Sequence, residues 1–72
     1  MDYRIDDVIK RMCYCGFVVK SQQGSHIRLT KQGIIRPVIL VKRNQSTKVP
    51  LTFIKIICKA YNIDINEFRR DL

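Results

Sequence analysis

The chain has 72 residues, enough for one small domain with one core but not for two. Apolar residues make up 46% of it, a share typical of globular domains, so the composition argues against intrinsic disorder. Fourteen Lys and Arg against six Asp and Glu give a net charge of +8, which favours a polyanionic partner, either a nucleic acid or an acidic protein.

The sequence lacks the marks of an exported or membrane-spanning protein. No apolar run approaches the ~20 residues of a membrane span. The first seven residues are largely polar and lack the apolar core of a signal peptide. Three cysteines cannot all pair within one chain. We therefore expect a cytoplasmic protein with reduced thiols and no membrane partner.

The first predicted element is a helix over residues 3–15. Its apolar side chains recur at helical spacing and form one stripe. The stripe consists of Ile5, Val8, Ile9, Met12 and Cys13. Asp2 is the expected N-cap, and Gly16, which can adopt a positive φ, is the expected end of the helix.

Two strands and a tight turn follow the helix. Residues 17–22 are rich in aromatic and branched side chains, and Gln23-Gly24 predicts a turn into a second strand over 25–31. In the second strand Ile27 and Leu29 alternate with polar residues, so one face is apolar and the other carries His26, Arg28 and Thr30.

A third strand is expected over residues 35–42, after a turn at Lys31-Gln32-Gly33, with Pro37 at its start or on an edge. Residues 43–50 are polar and basic and are expected to form a loop. The predicted order is therefore helix, three strands and then two further helices.

A second helix is expected over residues 53–61, between Thr52 as N-cap and Asn62 at its end. Its stripe consists of Phe53, Ile56, Ile57, Ala60 and Tyr61, widened by Ile54 and Cys58. A short helix over 64–70 follows.

The short helix carries its own start signal. Asp64 and Glu67 form a capping-box-like pair, and Ile65 and Phe68 are expected to dock on the core.

His26, the only histidine, is the sharpest chemical feature of the sequence. Cleaving RNA without a metal requires proton removal from a 2′-hydroxyl and protonation of the leaving 5′-oxygen, and an imidazole performs either task near neutral pH. Arg28 on the same face, and Lys20 or Gln22 across the hairpin, are candidates to hold the phosphate. The alternative is a surface histidine with a local hydrogen bond.

Seven of the fourteen basic residues fall in the predicted strands or the loops that link them, and most of the others fall in the predicted helices. The seven are Lys20, Arg28, Lys31, Arg36, Lys42, Arg43 and Lys48. A cationic sheet edge with the loop from Lys42 to Lys48 could follow a phosphate backbone. The alternative is an ordinary solvated surface. The predicted strands carry no aromatic stacking motif, which favours recognition of RNA by shape and backbone.

The cysteines do not predict a metal site. Cys13 and Cys15 are too closely spaced for a zinc knuckle, and no second close pair exists to complete four ligands with Cys58 and His26. We expect the cysteines to act as small, buried hydrophobic side chains. No metal or other cofactor is expected.

Two short motifs resemble a known family. Gly16-Phe17 at the end of the first helix and Gly24-Ser25-His26 after the first strand are similar to motifs of the HicA family of mRNA interferase toxins. The downstream half is similar as well, through Thr52-Phe53, Ile56-Ile57, Ala60, Ile63 and Glu67-Phe68. The resemblance covers nearly the whole chain.

The resemblance implies an α+β, double-stranded-RNA-binding-like fold, α-β-β-β-α, with a three-stranded antiparallel sheet and helices on one face. It implies metal-independent cleavage of mRNA by the histidine of Gly-Ser-His, here His26, and neutralisation by a HicB-like antitoxin that covers the active site. The chain departs from the family pattern in two places. It lacks a second histidine around residues 42–44, and Leu51 replaces a glycine before the second helix.

The resulting hypothesis is an endoribonuclease toxin acting on mRNA. His26 is its general acid or base, Arg28 and Lys20 bind the scissile phosphate, and Gly24 and Ser25 fix the turn. The remaining RNA contacts are expected from Lys42, Arg43 and Lys48. Two alternatives stay open, namely an RNA-binding module that does not cut and a basic protein that binds only an acidic protein.

Overall fold

The computed structural model describes residues 1–70 and residue 72. In this part of the chain the helices are α1 (Ile5–Tyr14), α2 (Leu51–Ala60) and α3 (Ile65–Arg69). The strands are β1 (Asp2–Arg4), β2 (Val18–Gln23), β3 (His26–Thr30), β4 (Val38–Val41) and β5 (Lys48–Pro50). No helix among the described residues is long and apolar enough to cross a membrane.

The strands form two separate sheets. An antiparallel sheet in the order β2-β3-β4 confirms the predicted three-stranded sheet, and the order α1-β2-β3-β4-α2 is that of the double-stranded-RNA-binding-like fold. A second antiparallel pair, β1-β5, was not predicted. The stretch expected to be a loop over residues 43–50 therefore ends in a strand.

All three helices pack on one face of the three-stranded sheet around one hydrophobic core. The sheet contributes Ile27 and Leu29 from β3 and Val38 and Leu40 from β4. The rest of the core consists of Ile5, Val8, Met12, Phe17, Val49, Ile54, Ile57, Cys58 and Phe68. No helix formed by the described residues covers the opposite face of the sheet, so its side chains stay open to solvent.

The N-terminus of α1 is satisfied by strand pairing rather than by a side-chain cap. The N–H of Ile5 donates to the carbonyl of Thr47 at 3.0 Å, which continues the β1-β5 ladder into the helix. Arg4 is the N-cap residue and makes no side-chain capping bond. Asp2 lies in β1, so the prediction that it caps this helix is wrong.

Strand pairing also satisfies the N-terminus of α2. Its N-cap is Pro50, without a side-chain capping bond, and the N–H of Leu51 donates to the carbonyl of Met1 at 2.9 Å. The prediction of Thr52 as the N-cap is wrong because the helix begins at Leu51, two residues before the predicted start, where the ladder supplies the acceptor. In both helices a first-turn donor finds a partner outside the helix.

The apolar stripe of α2 is turned by about one residue from the prediction. Ile54, Ile57 and Cys58 are buried, whereas Ile56 is 63% exposed and Ala60 is exposed. A stripe that begins at Phe53 and one that begins at Ile54 both have helical spacing. Only packing against the rest of the core determines which of the two is buried.

In α1 the predicted stripe fails at one position, because Cys13 is exposed. Cys15, just past the helix, packs against the core instead. Gly16 has a φ of +102°, and a Cβ there would lie 3.2 Å from Cε of Lys31. The glycine thus ends α1, as predicted, and directs the buried Phe17 into the core, where its ring meets Tyr61 edge-on at 5.3 Å.

Helix α3 is capped and held in place. The side chain of Asp64 accepts hydrogen bonds from the N–H groups of Asn66 and Glu67, which confirms its predicted capping role. Arg11 of α1 donates from Nε to the carbonyl of Phe68 at 3.1 Å and from Nη2 to that of Glu67 at 2.6 Å. These bonds satisfy carbonyls at the end of α3 and fix it against α1.

Candidate functional site

The turn between β2 and β3 consists of Gly24 and Ser25, one residue later than predicted. Gly24 has a φ of +58°, whereas the φ of Ser25 is not positive. A positive φ at only the first central residue is the pattern of a type II′ turn, in which glycine is favoured at that position. The turn makes His26 the first residue of β3 and pairs it with Gln23.

Alternation along β3 separates the candidate site from the core. Ile27 and Leu29 are buried against the helices, and His26 and Arg28 are exposed on the open face, as predicted. Residues two apart in a strand lie about 7 Å apart. An imidazole and a guanidinium therefore stand side by side on a solvent-exposed surface.

The neighbouring strands place different side chains on either side of this pair. On β2, Gln23 lies opposite His26 and Ser21 lies opposite Arg28. Directly opposite residues of an antiparallel pair share a face. Gln22, the candidate named from the sequence, pairs with Ile27 instead. Sequence reasoning missed Gln23 and Ser21 because the turn was placed one residue too early.

The strand on the other side, β4, gives the open face an apolar margin. Val41 lies opposite His26, and Ile39 lies opposite Arg28. Both side chains are substantially exposed, at 39% for Val41 and 46% for Ile39. The open face thus runs from amides and hydroxyls on β2, through the imidazole and guanidinium on β3, to branched aliphatic groups on β4.

Lys20 lies at an irregularity in β2. Val19 pairs with Leu29 and Ser21 pairs with Arg28, so Lys20 is an extra residue without a partner in the register. Its side chain is exposed on the edge strand, nearer to the level of Arg28 than to that of His26. The structure therefore brings Lys20 near the guanidinium but not opposite the imidazole.

The loop after β4 is tied to the hairpin turn. The N–H of Lys42 donates to the carbonyl of Ser25 at 2.7 Å, which places this loop beside the start of β3. The ammonium of Lys42 lies 2.7 Å from Oδ1 of Asp6 in α1. Of the basic residues predicted to bind RNA, Lys42 is therefore already paired with a carboxylate.

The rest of the loop is shaped by two short polar side chains. The hydroxyl of Thr47 accepts hydrogen bonds from the N–H groups of Arg43 and Asn44, and Oδ1 of Asn44 accepts one from Ser46. These bonds hold a compact turn. The side chains of Arg43 and Lys48 stay exposed around a shallow depression on the loop.

No metal centre accompanies the open face. Among the described residues, no three His, Cys, Asp or Glu side chains are grouped so that they could hold a metal ion. The three cysteines are free. Burial, with smaller contributions from Cys15 and Asp64, raises the pKa of the Cys58 thiol, so this group stays protonated and poorly nucleophilic.

Comparison with known protein families gives a match over most of the chain. Residues 5–63 match a family model described as the HicA toxin of bacterial toxin–antitoxin systems. The matched region contains α1, the three-stranded sheet and α2, and leaves out α3. No curated protein and no solved structure matches the chain significantly.

Proposed function

The chain belongs to the HicA toxin family, and from this we propose that it is the ribonuclease toxin of a toxin–antitoxin pair, with mRNA as its substrate. The observation that carries the proposal is the open face of the sheet. There a tight turn presents His26 to solvent beside Arg28, with no helix over either side chain. The basic surface of a protein with a charge of +8 supports an RNA substrate.

The reaction that suits one exposed imidazole is transesterification within the RNA. We infer that His26 removes the proton from a 2′-hydroxyl, so that the 2′-oxygen attacks the adjacent phosphorus and the bond to the 5′-oxygen breaks. The leaving oxygen takes its proton from water or from the imidazolium. Arg28 stabilises the charge that builds on the non-bridging phosphate oxygens.

The remaining candidates position the RNA. We infer that Lys20, near the level of Arg28, holds a phosphate on one side of the cleaved bond. Arg43 in the loop after β4 and Lys48 at the start of β5 would hold phosphates on the other side. Gly24 and Ser25 fix the turn that presents His26. Lys42 takes a smaller part in this proposal because Asp6 already neutralises its ammonium.

The proposed protein partner is a HicB-like antitoxin that covers the open face. The face offers cations for acidic side chains and, at Ile39 and Val41, exposed aliphatic groups for apolar contact. Covering His26 would block the substrate without altering the fold.

The test is cleavage of an end-labelled RNA by the purified protein in EDTA, compared with the His26→Ala variant. We expect cleavage by the wild type and a loss of at least about 100-fold in the variant, since general acid–base catalysis contributes about 10²–10⁴-fold. Because His26 is exposed, the free energy of unfolding of the variant should lie within about 0.5 kcal/mol of the wild-type value.

Two results would count against the proposal. Equal cleavage by the two proteins would remove His26 from the mechanism. Intact RNA at stoichiometric wild-type protein, with RNA still bound, would favour a binding module that does not cut. Lys55→Ala, on the exposed side of α2, serves as the control for loss of a positive charge.

A further inference from the structure

The two sheets face each other through unpaired strand edges. Just past the end of β4, the N–H of Lys42 donates to the carbonyl of Ser25, next to the start of β3. Along an antiparallel pair of strands, residues that bond to the partner alternate with residues that do not. Leu40 therefore bonds to β3, whereas the backbone N–H and C=O groups of Ile39 and Val41 point away from β3. The β2-β3 hairpin agrees with this assignment. A two-residue turn makes Gln23 and His26 a bonded pair, so the backbone of His26 bonds to β2 and not to Val41 of β4.

The facing edge of β5 is open in the same way. Its ladder to β1 is fixed by the bonds from Ile5 to Thr47 and from Leu51 to Met1, so the residues between them alternate. The N–H and C=O of Lys48 point away from β1. Among the described residues, no backbone partner is found for the outward groups of Ile39, Val41 or Lys48.

A depression of about 240 Å³ lies between these two edges. Residues of β4 and β5 line it, and its apolar lining includes Ile5, Val49 and Phe53. The one charged residue among its described lining residues is Lys48. We call this depression the inter-sheet slot.

We propose that the inter-sheet slot binds an extended acidic segment of a partner protein, which adds a strand to the exposed edge of β4. An added strand would take up the free N–H and C=O groups of Ile39 and Val41 and place apolar side chains against the slot lining. Its acidic side chains would meet Lys48 and Arg43, which is on the loop that joins the two edges.

Charge decides between the possible occupants. A second copy of this chain carries the same +8 and would be repelled, whereas an acidic segment is attracted. The edge of β2 is a poorer template, because the bulge at Lys20 breaks its regular spacing. If the proposed function holds, the partner is the antitoxin. A strand added next to β4 lies about 10 Å from β3, close enough for its flanking chain to reach His26.

The experiment measures amide hydrogen exchange by NMR on the whole protein, with and without a peptide of alternating glutamate and valine. We expect slower exchange at the N–H groups of Ile39 and Val41, by at least about tenfold at saturating peptide. The control is the same peptide N-methylated at alternate residues, which keeps the charge but cannot form the ladder. Ile39→Pro is a second control, because its N–H is not used within the sheet and edge strands tolerate proline.

Three results would overturn the inference. They are no protection at millimolar peptide, equal protection by the N-methylated peptide, and protection that rises with protein concentration alone, which would indicate self-pairing. RNA cleavage by the wild type is measured in parallel, without peptide. Failure of the wild type to cleave would affect only the proposed function, because the exchange measurement contains no RNA.

Discussion

Helix α3 lies beyond the region matched to the family, yet its one buried side chain tests whether it is part of the fold. Phe68 is fully buried, and its substitution by Ala should cost about 3–5 kcal/mol, the usual range for removing a buried aromatic ring. A domain of this length is expected to have about 4–11 kcal/mol of stability. Phe68→Ala should therefore remove a substantial part of this stability, while Phe68→Leu, which keeps most of the volume, should cost about 1–1.5 kcal/mol.

Urea unfolding followed by circular dichroism measures both variants. With an m value of about 1 kcal/mol/M, a loss of 3 kcal/mol lowers the midpoint by about 3 M. Ile56→Ala is the matched control, because this residue is 63% exposed on α2 and should change stability by less than about 0.5 kcal/mol. A cost below about 1 kcal/mol for Phe68→Ala, at unchanged m, would refute the docking of α3 on the core.

Three further predictions concern the open face and the thiols. Arg28→Ala should lower kcat for RNA cleavage by about 10²–10³-fold, since removing one stabilising donor in other active sites costs this much, and a change in KM alone would contradict its role. Arg43→Ala should reduce the slope of log affinity against log salt by about 0.7 for single-stranded RNA, whereas an equal change in Lys55→Ala would show that the charge acts without a defined site. Iodoacetamide should modify the exposed Cys13 before the buried Cys58, and mass spectrometry that finds the reverse order would contradict the described burial.

The raised pKa of Cys58 carries a pH dependence with a definite sign. The folded state keeps this thiol protonated at pH values where the unfolded chain has lost the proton, so unfolding releases a proton above its ordinary pKa of 9.0. Stability should therefore be unaffected by this group below that pH and should fall as the pH rises above it. Cys58→Ala should show a shallower decline in urea titrations at high pH than the wild type.

The elements that were predicted correctly are those fixed by neighbouring residues. Alternation in β3 placed Ile27 and Leu29 in the core and His26 and Arg28 on the open face, and the structure agrees. Gly16 and Asp64 were assigned to a helix end and a helix cap by their own backbone and hydrogen-bonding preferences, and both are found there.

The features that were missed depend on residues distant in sequence. The pair β1-β5 joins two strands of three residues each, too short to give a local strand signal. It supplies the acceptors that made caps at Asp2 and Thr52 unnecessary. The identity of Gln23 as the neighbour of His26 depends on the position of the turn to within one residue. Local propensity does not resolve that choice, whereas pairing with β4 on the other side of β3 does.

The pairing of β1 with β5 also bears on how quickly the chain can fold. Tyr3 pairs with Val49, so this ladder closes a loop that contains α1 and the whole three-stranded sheet. Closing so long a loop costs entropy that is repaid only after the intervening strands have formed, and such long-range contacts slow folding. We expect the β2-β3 hairpin, whose residues are close in sequence, to form early and the β1-β5 ladder to form last.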